Sequence, residues 1–181
     1  MGKRTVTTAS AAALALMFGA AGLASAKEAG AADVLAEATA AMTDSKGNSV
    51  GTVAFEQGAH GTVVHARLTG LEPGTHAFHV HQTGKCEAPG FQSAGGHYNP
   101  TDKAHGFFAK DGYHAGDLPN IHVSDSGTLE IEFFSERLKL DDDVFDADGS
   151  SLLIHTGTDD YRTDPAGDAG ERVACGVIEK N

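Results

Sequence analysis

Six of the ten histidines in this 181-residue chain fall in one stretch, at His76, His79, His81, His97, His105 and His114, and Asp117 follows three residues after the last. Imidazoles crowded around a carboxylate are suited to holding metal ions. His79 and His81 are two apart in the β-rich run Phe78-His79-Val80-His81. Side chains two apart on a strand project from one face, about 6 to 7 Å apart along it, so these two rings can grip one ion. Taken alone, the pair equally fits two solvent-facing strand residues. His97, His105, His114 and Asp117 are spaced by seven, eight and two intervening residues. Three imidazoles and one carboxylate make a closed, four-coordinate set that suits structural zinc. His155 ends a separate apolar run, Leu152-Leu153-Ile154-His155, from which it can reach the first pair.

Positioning these side chains falls to short strands. Residues 34–42, 49–56, 61–68, 76–81, 120–123, 128–134, 151–155 and 172–178 are β-rich runs. Glycine-containing turns separate several of them, such as Gln57-Gly58-Ala59-His60-Gly61 and Ser124-Asp125-Ser126-Gly127. The first run holds enough alanine to suit a short helix as well, and its neighbours tip it to a strand. One side chain in two is apolar along Thr128-Leu129-Glu130-Ile131-Glu132-Phe133, and no sustained 3.6-residue pattern appears. The pattern predicts an all-β unit, an eight-stranded antiparallel Greek-key β-sandwich or flattened barrel. Residues 82–119 and 157–171 do not read as strands, and loops of that length in a compact domain are usually functional.

The chain opens with Lys3 and Arg4, runs through a nearly uncharged Ala- and Leu-containing stretch, and reaches Ala24-Ser25-Ala26 before its first acid, Glu28. That order of basic, apolar and small residues predicts a secretory signal peptide over residues 1–26, leaving one domain, residues 27–181, with a periplasmic or secreted destination. Losing Lys3 and Arg4 takes the formal net charge from −12 to −14, which argues against a nucleic-acid partner. No later stretch is suited to spanning a membrane, so no membrane partner is expected. The two cysteines, Cys86 and Cys175, read as a disulfide in an exported chain.

Gly74-Thr75-His76-Ala77-Phe78-His79-Val80-His81, Gly95-Gly96-His97-Tyr98-Asn99-Pro100, His105-Gly106, His114-Ala115-Gly116-Asp117-Leu118 and Gly170-Glu171-Arg172-Val173-Ala174-Cys175-Gly176-Val177-Ile178 together resemble the copper/zinc superoxide dismutases, in order and at the family's spacing. The likeness is to the bacterial secreted or periplasmic type. It implies an enzyme that disproportionates superoxide to dioxygen and hydrogen peroxide through Cu(II)/Cu(I) cycling with a zinc-bridged histidine. Carried over position by position, it implies one copper per chain on His79, His81, His97 and His155. It likewise implies one zinc on His97, His105, His114 and Asp117, with His97 shared. Catalytic roles fall to His97, which takes up a proton, and to Arg172, which faces the copper channel. Asp159 matches the family's carboxylate that orients one ligand of each metal, here His79 and His105. His76 matches a non-ligand histidine of the site, whereas His60, His65 and His122 match nothing and read as surface residues. Members of the family pair through different surfaces or stand alone, so a homodimer is compatible with the sequence and not dictated by it.

Two departures stand out. Only twelve residues separate Asp159 from Arg172, without the lysine-containing run that helps guide superoxide in longer animal forms. The loop over residues 104–113 is also unusually apolar, with Phe107, Phe108 and Tyr113. A non-catalytic metal-binding or copper-delivery relative is the main rival, and the presence of all four copper positions weighs against it. A cupin-like site would want an acid three or four residues after the His-x-His pair, where Gln82 to Cys86 precede Glu87. A metallo-hydrolase run is excluded by Gln82-Thr83-Gly84.

Overall fold

The computed structural model describes residues 1–2 and 33–181. The signal peptide expected over residues 1–26 therefore lies outside the described residues, apart from the first two. The folded unit, Ala32–Asn181, is built from nine strands: β1 (Ala36–Asp44), β2 (Ser49–Gln57), β3 (Thr62–Thr69), β4 (Gly74–His76), β5 (Phe78–His81), β6 (Ile121–Val123), β7 (Thr128–Ser135), β8 (Ser151–His155) and β9 (Arg172–Lys180). Seven of them form one sheet in the order β5-β8-β9-β1-β2-β3-β7, and β4 pairs with β6 in a second. Every named pairing is antiparallel. No helix among the described residues is long and apolar enough to cross a membrane.

Residues 34–42 do form a strand, shifted to Ala36–Asp44. The expected strand over residues 76–81 is two strands, which raises the count from eight to nine. The break has a physical cause, because the chain changes partners there. His76 pairs with Ile121 of β6, and Phe78 pairs with Ile154 of β8. Ala77, at the changeover, donates to Gly157 O and accepts from His155 N. The two expected long loops are joined by a third strand-free stretch, residues 136–150. Buried Leu138, Leu140 and Val144 anchor it to the core. Its polar residues close turns on Asp141 and Asp146, whose carboxylates accept from backbone N–H groups two and three residues on.

On β3 the alternation is regular: Val64, Ala66 and Leu68 face the core, and His65 and Arg67 face out. β5 and β8 differ, being buried at every position. Phe78, Val80, Leu152 and Ile154 join the main core on one face, and each fully buried side chain of this size stabilises by roughly 1.5–3 kcal/mol. His79, His81, Leu153 and His155 lie on the opposite face, which would meet solvent if the long loops did not cover it. Leu153 packs there with Phe91, Ala94 and the Cys86–Cys175 disulfide. That bridge spans 89 positions and ties the first long loop to β9. Closing so long a loop stabilises by about 4–5 kcal/mol at most on the chain-entropy account.

Candidate metal centre

The first long loop lies beside β5 because its backbone continues the ladder. Val80 N donates to Gly116 O, Tyr98 N to Val80 O, and Gly116 N to Tyr98 O, at 2.8–2.9 Å. Bridges His79–Asp117 and His81–His97 result, so two loop segments deliver side chains onto the outer face of β5. The ring centroids of His79 and His81 are 6.5 Å apart, and His155 from β8 lies 5.1 Å and 5.7 Å from them. The ring of His97 approaches that of His79 to 4.0 Å.

Hydrogen bonds fix which nitrogen of each ring is free. His79 Nε2 donates to Asp159 Oδ2 at 2.8 Å, His81 Nδ1 to Gly95 O at 3.0 Å, and His155 Nδ1 to Gly170 O at 3.3 Å. What remains is His79 Nδ1, His81 Nε2, His155 Nε2 and, from the loop, His97 Nε2. All four are buried without a hydrogen-bond partner. A buried polar atom left so costs about 1–3 kcal/mol and calls for an explanation. One donor atom from each of these four residues lies within 4.8 Å of the others. Four converging imidazole lone pairs suit a copper ion.

A second set sits on the other side of His97. Asp117 Oδ1 lies 2.8 Å from His97 Nδ1 and 3.1 Å from Nδ1 of both His105 and His114. The Nδ1 atoms of His97 and His114 are 3.3 Å apart. One oxygen cannot accept well from three rings at once. The spacing instead resembles the edges of a tetrahedron, about 3.3 Å where metal–ligand bonds are about 2.0–2.1 Å. Asp117 Oδ2 is occupied by Gly106 N at 2.8 Å and His114 N at 3.2 Å, which aims Oδ1 at the set. The two sets are joined twice, through the two nitrogens of His97 and through Asp159, whose Oδ1 accepts from His105 Nε2 at 2.9 Å.

Burial pushes the imidazoles of His79 and His81 below their ordinary range. It takes His97 down to about 4 and His155 to about 3, helped in both by the neighbouring His79. Burial also opposes charge on Asp117 and Asp159. Hydrogen bonds from His105 and the other rings outweigh it and hold both carboxyls well below the usual carboxylate range. His105 is opposed by burial too, yet the two carboxylates push it up to about 9. The first set is thus neutral at pH 7, and the second attracts positive charge.

A cavity of about 400 Å³ opens onto both sets and is lined by His81, His97, His114, His155, Pro165 and Arg172 among others. A larger hollow of about 610 Å³ alongside shares His155, Ala166 and Arg172, and of the two donor sets it touches His155 alone. The Arg172 guanidinium donates to Phe91 O at 2.7 Å and Gly95 O at 2.6 Å. Burial lowers its pKa from the ordinary arginine value. His76 belongs to neither set; its nitrogens meet His155 O and Glu72 O, both at 2.8 Å. His60 and His122 are exposed, and half-buried His65 pairs with Glu132 at 3.2 Å.

Sequence reasoning passed over the residues that hold Asp159. Asn120 makes a reciprocal clamp, its Oδ1 accepting from Asp159 N and its Nδ2 donating to Asp159 O, both at 2.9 Å. Asp164 Oδ1 accepts from His105 N at 2.6 Å. Gly167, at φ 68°, leaves room where any Cβ would come within 1.9 Å of Asp159 Oδ1 and 2.7 Å of His105 Nε2. Apart from Gly167 against Asp159, eight positions away, these contacts join residues 39 to 62 positions apart in the chain, and only the placement of Gly167 in a turn signal, Pro165-Ala166-Gly167, left a trace in the sequence.

An all-β unit whose outer face carries two buried donor sets sharing one imidazole is the framework of a binuclear metalloprotein. The chain belongs to the copper/zinc superoxide dismutase (SODC) family, whose model matches residues 49–178. It is 40% identical over 143 residues to the Cu-Zn superoxide dismutase 1 of Aquifex aeolicus, covering 76% of this chain and 85% of that one. It is 40% identical over 148 residues to the Cu-Zn superoxide dismutase of Caulobacter vibrioides, covering 78% and 85%. The Cu/Zn superoxide dismutase of Brucella abortus superposes with a TM-score of 0.66 at 32% identity, over 79% of this chain and 99% of that one. A SOD-like protein from Bacillus subtilis superposes with a TM-score of 0.71 at 34% identity, over 77% and 96%.

Proposed function

We propose that this chain is a copper- and zinc-dependent superoxide dismutase. In this reading His79, His81, His97 and His155 hold copper, and His97, His105, His114 and Asp117 hold zinc, one ion of each per chain. The four orphaned nitrogens that converge behind the cavity wall carry it, since a buried apolar pocket would leave no lone pairs converging there. The chemistry of the donors agrees: imidazole suits copper and zinc alike, and the closed set with a carboxylate suits zinc.

The overall reaction consumes two superoxide anions and two protons and yields one dioxygen and one hydrogen peroxide. Copper, which alternates between two oxidation states, supplies the electron transfer when bound. The residues do the rest. His97 presents Nε2 at the cavity and keeps Nδ1 in the second set, so that Nε2, whenever it is not holding copper, would take up a proton from solvent and pass it to the reduced oxygen species. Arg172 offers a fixed cation at the cavity wall, where a local field outweighs distant charges screened beyond about 8 Å at physiological salt. Asp159 keeps His79 and His105 in the tautomers that leave Nδ1 free.

Residues 1–26 act, in the same reading, as a signal peptide that sends the domain 27–181 to the periplasm or outside the cell, a destination that suits a disulfide. Intact mass of exported protein tests this; a mass retaining residues 1–26 would defeat it. Metal analysis joined to an assay of superoxide disproportionation tests the activity. Loss of both copper and activity in His81→Ala supports the assignment, and full activity in that variant overturns it.

A further inference from the structure

We propose that Tyr161 is a positioning residue of the centre: it holds the Asp159 carboxylate between His79 and His105 by buckling the short second loop to the apolar segment of the first. The idea rests on the metal assignment above and accounts for the two departures in the sequence, a brief second loop and an unusually apolar first one.

Tyr161 is fixed at four points. Its backbone N donates to Asp159 Oδ1 at 2.6 Å, the same oxygen that accepts from His105 Nε2. Its carbonyl accepts from Phe108 N at 3.3 Å, and the backbone of Gly106 lies so close that a Cβ there would come within 2.1 Å of that carbonyl oxygen. Its hydroxyl accepts from Asn120 N at 2.7 Å, one residue after Pro119, and Asn120 is the side chain that clamps the Asp159 backbone. Its ring stacks on Phe107 with centroids 4.8 Å apart, and Phe107 meets Tyr113 edge-on at 4.8 Å. Phe108 closes the outside, with the Arg162 guanidinium 4.2 Å above its ring.

The backbone of Tyr161 sits at φ 59°, a left-handed conformation that a bulky residue keeps only where its surroundings over-determine it. That conformation turns the chain between the N–H that donates to Asp159 and the carbonyl that accepts from Phe108 N. Removing an anchor should let the carboxylate drift, and partners of metal-ligating histidines typically contribute about 10–100-fold in metal affinity.

The test compares wild type, Tyr161→Phe, Asp159→Asn and the double variant in copper-free protein, reading zinc affinity by chelator competition. The Cu(II) electron paramagnetic resonance spectrum of zinc-loaded protein gives a second readout. Tyr161→Phe should weaken zinc several-fold and shift the copper spectrum, and it should do neither in the Asp159→Asn background. Phe107→Leu, which removes the stack and keeps the hydroxyl bond, should act in the same direction and likewise lose its effect with Asp159→Asn. Equal zinc affinity and an unchanged spectrum in Tyr161→Phe would overturn the proposal, as would an undiminished loss in the double variant, which would mean that Tyr161 acts on general stability. Failure of wild type to bind zinc would instead undo the metal assignment itself.

Discussion

His79 donates Nε2–H to Asp159 Oδ2 over 2.8 Å, with both side chains wholly buried. The bond settles which nitrogen His79 offers to the first donor set, and the other oxygen of Asp159 does the same for His105 in the second. Asp159→Asn keeps one acceptor and loses the other. It is expected to lower affinity for both metals by about 10–100-fold, as for other partners of ligating histidines. Chelator competition for zinc and copper checks this; unchanged affinity for both metals would show that the carboxylate supports neither set.

The two sets have separable roles. His81→Ala removes a donor used by the first set alone, and should abolish copper binding and activity while zinc content and the organised loop persist. Asp117→Ala removes the carboxylate of the closed set and should weaken zinc and thermal stability first, because a structural zinc site contributes to folding. Metal content and melting temperature of the two variants distinguish the cases. Equal losses of both metals in both variants would show a single undivided site.

The metal-free protein should be most stable near neutral pH. His97 and His155 are held down at about 4 and about 3. As pH falls from about 6.5, the unfolded chain therefore takes up protons that the folded one refuses, and stability declines. Asp117 and Asp159, whose pKa values are lowered, add to that decline once pH falls below the ordinary carboxylate range. His105 is raised to about 9, so its contribution is complete below about 6.5 and disappears as pH rises through 9. Thermal scans of chelated protein from pH 5 to 9 should show both limbs, and His105→Gln should flatten the alkaline one. An alkaline limb unaltered by His105→Gln would show that His105 is not its source.

Arg172 is held at two carbonyls, and one of them, Gly95 O, also accepts from His81. In a chain whose mature form would carry −14, loss of this cation should tell on an anionic substrate. Arg172→Ala is expected to lower the second-order rate several-fold at unchanged metal content, and Arg172→Glu to lower it further. Attraction weakens with added salt and repulsion is relieved by it, so the variants should also differ in ionic-strength dependence. Pulse-radiolysis rates across a salt series decide; identical rates at every salt would reduce Arg172 to a structural residue.

The all-β architecture was legible because alternation and turn glycines are local. The donors stood out for another reason: residue types as rare as clustered histidines, at spacings shared with a known family, are visible without a structure. The division of residues 76–81 was not visible, since Ala77 carries no breaking signal and the split follows from a change of strand partner. Residues 136–150 escaped notice because they are anchored by scattered apolar side chains with no period. The support around Asp159 was hidden most completely. Asn120 grips the Asp159 backbone with its side chain, Tyr161 reaches the carboxylate through its own N–H, and Gly167 acts through the absence of a side chain; such contacts depend on how the loops meet.

The decisive measurement is a titration of copper into zinc-loaded protein, with the rate of superoxide disproportionation followed at each step. Activity should rise in proportion to copper and break at one equivalent per chain, as a single buried set built from His79, His81, His97 and His155 requires. No activity at any copper loading, or activity that continues to climb well past one equivalent, would mean that these four residues do not form the catalytic site.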